Sequence, residues 1–408
     1  MNHTATLSVE EARVRILGRI AVLAARETLP LGAARGRFLA ADLISPIDVP
    51  GHDNSAMDGY ALRYIDLTAD GPTRMPIAGT ALAGHPYPGP LPSGSCVRIM
   101  TGAVMPEGAD TVVMQEEVDA SEGAALMPSG VKAGQNCRRA GEDTRAGSVA
   151  LVAGQALHPA ALGLAASLGI RRVSVVGRPR VAVLSGGDEL AQPGQPLQPG
   201  QVHDSNRLSL MALLDEMGCE VMDLGIVADD PAALESALAC GAAMADVVLS
   251  SGGVSVGEAD YIHELLGKLG EVDFWKVNMK PGRPLAFGRI GKAAFFGLPG
   301  NPVAAVVTFV QFVRPALLKM MGASPLPVLP EFEVSCASAL KKIPGRREYQ
   351  RGVLSLLDGR WQVESTGPQG SGMLRSLVRA NCFIVLEEAR GNVAPGESVR
   401  VQVFDGLM

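Results

Sequence analysis

Apolar and polar positions along the chain change rhythm three times, and each change marks a different architecture. Ser8 and Glu11 have capping-box spacing, and Val14, Leu17 and Ile20 follow at helical spacing, which predicts a first helix. From about residue 27 to 178, short strand-like runs ("SCVRIM", "DTVVMQEEV", "GSVALV") alternate with Gly/Pro turns such as "PYPGPLPSG" and "MPEG". This region reads as β-rich, with a helix-like piece, "HPAALGLAASLGI", at 158–170. From 179 strands and helices alternate: "RVAVLSGG", "SNRLSLMALLDEMG", "CEVMDLGIV", "DPAALESALACGA", "ADVVLSSGG" and "DYIHELLGKLG". The strands "VDFWKV", "LAFG" and "AAFFGL" follow, and the helix "NPVAAVVTFVQFVRPALLKMMG" closes the block. Asn301 can serve as its N-cap, and Pro302 suits its first turn. Such alternation means a mostly parallel sheet with helices on both faces. After about 326, "FEVSCASAL", "QRGVLSLL", "WQVEST", "CFIVLEEA" and "ESVRVQVF" read as a small all-β domain.

Composition narrows the function classes. A chain of 408 residues corresponds to two to four domains, and 47% hydrophobic residues suffice for real cores. Charged residues make up only 19%, below the ~25% typical of soluble domains, so each cluster of acids stands out. A net charge of −6 with no basic block argues against nucleic acid as a partner, while leaving room for a small anion in a local basic pocket. Cys96, Cys137, Cys219, Cys240, Cys336 and Cys382 form no CxxC pair and read as reduced thiols. The N-terminus has no signal-peptide pattern, and the apolar run "VAAVVTFVQFV" is too short to span a bilayer. The expectation is a soluble, cytoplasmic protein without a membrane partner.

In an open α/β sheet, ligands bind outside the carboxyl ends of the strands. Here those ends are unusually marked. One strand runs into "SGGDEL", with Ser185, Gly187, Asp188 and Glu189. The next leads to "VADDP", with Asp229 and Asp230. A third enters "SSGGVSVGEADYI", with Ser251, Gly252, Gly253, Ser255, Glu258 and Asp260. The last reaches "GLPGNP", with Pro299 and Pro302. Glycines let backbone N–H groups approach a ligand, and helix N-termini favour phosphate. The acids need a partner of their own, and Mg²⁺ is the hard cation that carboxylates share with phosphates. Lys276, Lys280 and Arg283, in "WKVNMKPGRP", can supply positive charge to the anion. Any one of these loops is as readily a turn or a helix cap; several at one sheet edge argue for a site. No P-loop or dinucleotide fingerprint is present. A second polar cluster lies in "GHDNSAMDGYA" (Asp53, Asn54, Ser55, Asp58), "IMTGAVMPEGAD" and "GQNCRRAGED", where local turns are the competing explanation.

"DNSAMDGYA", "RIMTGA", "PEGADTVVMQEE", "RRAGED", "GDEL", "SGGVSVGEADY", "KPGRP" and "GLPGNPVA" together resemble the molybdopterin molybdotransferases, from about residue 7 to the end. The resemblance implies an enzyme that inserts molybdate into adenylylated molybdopterin, with Mg²⁺-dependent release of AMP, at the end of molybdenum cofactor synthesis. It implies four domains: an elongated one from 7–50 and 145–178, an inserted β domain at 51–144, an α/β molybdopterin-binding-type domain at 179–325, and a β-barrel at 326–408. It also implies a homodimer whose site is shared between subunits. By the same resemblance Asp58, Thr101, Asp143, Glu189, Asp229 and Asp260 are catalytic, the last three being the metal candidates, and Lys276, Lys280, Pro299 and Pro302 are functional too. Two positions depart from the family pattern: Gly186 stands where Thr is frequent, and His203 where Tyr is. They bear on substrate affinity more than on reaction type. No protein nucleophile is required, in keeping with the lack of a Cys/His or Ser/His constellation. Two rivals are a molybdopterin adenylyltransferase, which shares the α/β domain but lacks the inserted domain and barrel, and a gephyrin-like scaffold, which need not keep every acid. Tungstate in place of molybdate stays open, as do further partners among cofactor-biosynthesis proteins.

Overall fold

The computed structural model describes residues 6–69, 71–252 and 260–404, with backbone alone at 260–264 and 274. The chain divides into two units. One holds the N-terminal stretch to Glu27, Gly36–Ala40 and everything from Val175; the other holds Thr28–Arg35 and Ala41–Ser174.

The first unit is built on a seven-stranded sheet in the order Thr6–Leu7, Gly270–Val277, Pro284–Ile290, Ala293–Leu298, Val247–Gly252, Arg180–Gly186, Glu220–Val227. Pro284–Ile290 runs against both neighbours and the other pairings are parallel, as the alternation predicts. The central strands are buried almost end to end, which is why they read as continuous apolar runs. Ala182, Leu184, Val248 and Phe295 pack with Leu234 and Leu238 of helix Pro231–Met244 and with Leu265 and Leu266 of helix Asp260–Leu269. Each of the leucine, valine and phenylalanine side chains among them contributes about 1.5–3 kcal/mol by leaving water.

The first helix, Val9–Arg19, carries the expected capping box: the Glu11 N–H donates to Ser8 Oγ (3.1 Å) and the Ser8 N–H to Glu11 Oε2 (2.8 Å). Its buried face is Val9, Ala12 and Ile16, however, and Val14 is exposed. These three small or β-branched residues at the right spacing outweigh Val14, which lies off that stripe. The long apolar helix spans Pro302–Met320, 19 residues, so its length alone would allow a bilayer span. Burial decides against it: most of the helix lies inside the protein, as the core helix of a folded unit does. A π turn at Phe309–Val313 interrupts this helix and carries the buried Gln311. Gln311 accepts from Arg13 Nη2 (2.9 Å) and donates to Gln402 Oε1 (2.6 Å), joining the first helix and the C-terminal strands.

Those C-terminal strands close on themselves. Arg347–Leu357 pairs with Arg360–Ser365 on one side and Cys382–Leu386 on the other; Glu331–Cys336 and Ser398–Val403 complete a five-stranded barrel. Met279–Lys280 adds a short parallel strand, Lys280 lying opposite Glu348.

The second unit is β-rich, as expected. Its six-stranded sheet has Gly59–Leu62 between Thr111–Met114 and Cys96–Ile99, then Thr73–Ala81, Ala124–Met127 and Asp119–Ser121. Alternate residues feed two cores, one with Ala61, Val97 and Val112, the other with Tyr60, Leu62, Cys96 and Val113. The run "DTVVMQEEV" is strand only to Met114, and a 3₁₀ turn follows at Gln115–Glu117.

Candidate functional site

The strands Arg180–Gly186 and Val247–Gly252 run side by side in register, so "SGG" and "SSGG" end together. Gly252 has φ +74°, and a Cβ there would lie 2.6 Å from the Gly186 carbonyl oxygen. Only glycine lets these two loops approach so closely. Ser185 and Ser251 are buried at 0% and 1% exposure. Ser185 donates to Asp204 Oδ1 (3.2 Å), while Ser251 Oγ accepts from Asn206 Nδ2 (2.8 Å). Their hydroxyls therefore shape the loops. Asn206 Nδ2 also donates to the Gly300 carbonyl (2.7 Å), and Arg207 Nε donates to Asp204 Oδ2 (3.0 Å). The segment "HDSNR" thus stitches three strand-end loops together. Sequence reasoning missed Asp204 and Asn206, because Asp-Ser-Asn before a helix reads as a cap. Ser205 at that cap position makes no side-chain bond.

Gly187 has φ +143°, and a Cβ there would meet Glu189 Oε2 at 2.4 Å, so the Glu189 carboxylate folds back over this glycine. Asp188 Oδ1 accepts the Asp229 N–H (3.0 Å), tying the first loop to the second. Asp230 caps the next helix, accepting from the Ala233 N–H (2.8 Å). Glu189 and Asp229 are left as exposed carboxylates on neighbouring strand ends. Gly253, Ser255 and Glu258 lie outside the described residues, and Asp260 opens its helix with its side chain likewise outside them. Among the described residues no three His, Cys, Asp or Glu side chains gather as a metal cluster. The hard oxygens of Glu189 and Asp229 are nonetheless the donor type that Mg²⁺ takes. His203 sits at the surface, its Nδ1 3.2 Å from the Gln192 carbonyl.

Around the corner of the same unit is a cleft of about 340 Å³, lined by Lys280, Pro299, Gly300, Asn301, Arg346 and Ser371 among others. Of the three expected cations only Lys280 reaches it; Lys276 and Arg283 are exposed elsewhere. Arg346 and Ser371 belong to the barrel part and were not foreseen. Arg346 has a basic neighbour, Arg347, and no motif sets it apart. Pro299 lines the cleft, whereas Pro302 begins the long helix. Asn301 occupies the N-cap position without a capping bond, and the Val303 N–H instead donates to the Ser371 carbonyl (3.0 Å).

In the second unit, Asp58 Oδ1 accepts both the Thr101 N–H (2.7 Å) and Thr101 Oγ–H (2.8 Å). The backbone donor first, then the hydroxyl, holds the Asp58 carboxyl below the usual range. Asp143 borders a separate cleft of about 340 Å³ with Asn54, Arg138 and Glu142, and Asp58 does not line it. Burial pushes the Cys219 and Cys382 thiols up to about 12 and Cys96 to about 11, so these three carry no thiolate at neutral pH.

Comparison with known proteins covers almost the whole chain. Residues 7–169 match the family description "MoeA N-terminal region (domain I and II)", 182–319 "Probable molybdopterin binding domain", and 333–404 "MoeA C-terminal region (domain IV)". A molybdopterin molybdenumtransferase of Haemophilus influenzae is 46% identical over 98% of this chain and 100% of its own length. One from Nostoc sp. is 39% identical over 92% of this chain and 88% of its own. The solved molybdopterin biosynthesis moeA protein of Pyrococcus horikoshii superposes with a TM-score of 0.85 at 27% identity, over 98% of this chain and 100% of that one.

Proposed function

Since this chain belongs to the MoeA family of molybdopterin molybdenumtransferases, we propose that it inserts molybdate into adenylylated molybdopterin and releases AMP. The observation that carries this reading is the cleft in which Lys280 and Arg346 face Ser371 and the Pro299–Asn301 turn. Two cations and a serine suit a tetrahedral oxyanion. The glycine loops at Gly187 and Gly252 are the seat for the pyrophosphate, where backbone donors stabilise charge without reorganising. Glu189, Asp229 and Asp260 would hold Mg²⁺, which when bound supplies charge neutralisation at the phosphoanhydride. Asp58, kept ionised by Thr101, and Asp143 orient water. Water adds to the phosphoanhydride phosphorus and AMP leaves; the two dithiolene sulfurs then replace two oxygens of molybdate, which take up the thiol protons, with protons from solvent, and depart as water. The protein contributes position and charge.

The same reading includes a cytoplasmic homodimer. In it the inserted β domain (51–144) of one subunit completes the site on the α/β domain (179–325) of the other, with the elongated domain (7–50 and 145–178) and barrel (326–408) as supports. An adenylyltransferase is disfavoured by the β-rich unit and the closed barrel, and a scaffold by the retained acids. The test is AMP release from adenylylated molybdopterin in the presence of molybdate. Turnover should stop in excess chelator and return with Mg²⁺. Undiminished turnover in chelator would reject the metal role; absence of AMP release under every condition would reject the activity. Running the assay with tungstate separates the two oxyanions.

A further inference from the structure

We infer that Glu348 is a positioning residue of this cleft, acting through Lys280; the inference rests on the reading of the cleft as an oxyanion site. Glu348 lies on the barrel strand Arg347–Leu357 and is only 4% exposed. A buried carboxylate persists only where both oxygens are satisfied. Here Oε2 accepts from Gln350 Nε2 (2.9 Å), which is itself anchored on the Lys341 carbonyl (3.0 Å). That fixes the carboxylate and leaves Oε1 aimed at Lys280 Nζ, 3.3 Å away.

The backbone holds the same pair in place. Lys280 is registered opposite Glu348, and the Arg347 N–H donates to the Asn278 carbonyl (2.9 Å). What the backbone cannot do is orient the ammonium. Lysine is a point charge on a flexible four-carbon stem, and the Lys280 side chain is 48% exposed. Its neighbours push it outward: Arg346 shares the cleft, and the Lys342 amine, bonded to the Ile343 carbonyl (3.1 Å), is buried nearby. Burial first, then the charges of Lys280 and Arg346, pull the Lys342 amine down from its ordinary range, whereas Glu348 and Glu388 hold it up. Glu348 is thus the buried anion amid three cations, and it keeps Lys280 from swinging into solvent.

The inference is tested by equilibrium binding of molybdate, and separately of tungstate, to the full-length protein. If the wild-type chain binds neither, the oxyanion reading itself fails. If it binds, Glu348→Gln should weaken the affinity on the order of fivefold, because the neutral amide still accepts from Gln350 Nε2 through its oxygen but turns an NH₂ group, which cannot accept, toward Lys280. Lys280→Met should weaken it as well. In the Lys280→Met background, Glu348→Gln should add nothing, because its route to the anion is gone. Gln350→Met, which keeps the charge of Glu348 but frees its orientation, should give a smaller loss with the same dependence on Lys280, and it serves if Glu348→Gln does not fold. Additive losses would make Glu348 a structural residue only. Tighter anion binding in Glu348→Gln would make it a mere neutraliser. Either result overturns the inference while leaving the cleft's function intact.

Discussion

At the scale of single residues, the Asp58–Thr101 contact makes the clearest chemical statement. Two donors from one residue converge on one carboxylate oxygen and hold Asp58 ionised. A carboxyl whose folded pKa lies below its unfolded value favours the folded state fully above about pH 4, and the effect fades as pH falls through the folded pKa. Thr101→Val removes the hydroxyl but keeps the backbone donor. The Asp58 pKa should therefore rise, the backbone donor still holding it down in part, and the acid limb of the pH–rate profile should move up with it. Unchanged carboxyl titration by NMR would mean that the hydroxyl is a bystander. The motifs "MDG" and "MTG" were legible individually. Their meeting was not, because the two residues are 43 positions apart and join at the ends of the paired strands Gly59–Leu62 and Cys96–Ile99, a pairing that no local pattern encodes. Asn206 shows the converse: its type was visible, but its task of bridging Ser251 and Gly300 depends on partners from two other loops.

At the scale of elements, two glycines of the α/β part should respond in opposite senses to the same change. Gly252→Ala forces a side chain into a left-handed backbone and against the Gly186 carbonyl. A loss of about 2–4 kcal/mol in urea unfolding is expected, with activity falling further as the two strand ends part. Gly267 lies within helix Asp260–Leu269 and would meet nothing within 4 Å. There alanine should stabilise by about 0.5–1 kcal/mol. Equal effects at the two positions would contradict the loop geometry. Strand–helix alternation made these elements legible, because buried parallel strands are apolar throughout and helices repeat every three or four residues. The π turn around Gln311 was not legible, and the buried amide it carries bonds to Arg13 and Gln402, partners from distant parts of the chain. Nor was the bare cap of Asn301, whose helix start is satisfied by Ser371 instead.

At the scale of the whole molecule, the proposed dimer makes an arithmetic prediction. Asp58 lies in the second unit and Glu189 in the first. Each of Asp58→Ala and Glu189→Ala should lose about 10²-fold or more in turnover. Refolded together, half the dimers are mixed, and in each of those one site collects both defects and the other neither. About a quarter of all sites should then regain activity. Mixing that restores nothing, with subunit exchange verified by mass, would place both acids in one subunit and reject the shared site. The division into units has a second consequence, for synthesis. Thr6–Leu7 forms the edge of the large sheet by pairing with Lys276–Val277. At roughly 5–20 residues per second, that edge strand waits on the order of 15–50 seconds after it is made before its partner exists. For that interval the nascent chain carries an unmatched strand and the apolar side of the first helix, while the second unit has all its residues and is free to fold. During synthesis, then, the surface that most invites a wrong partner is this edge strand with the apolar side of its helix, both waiting on a sheet not yet made.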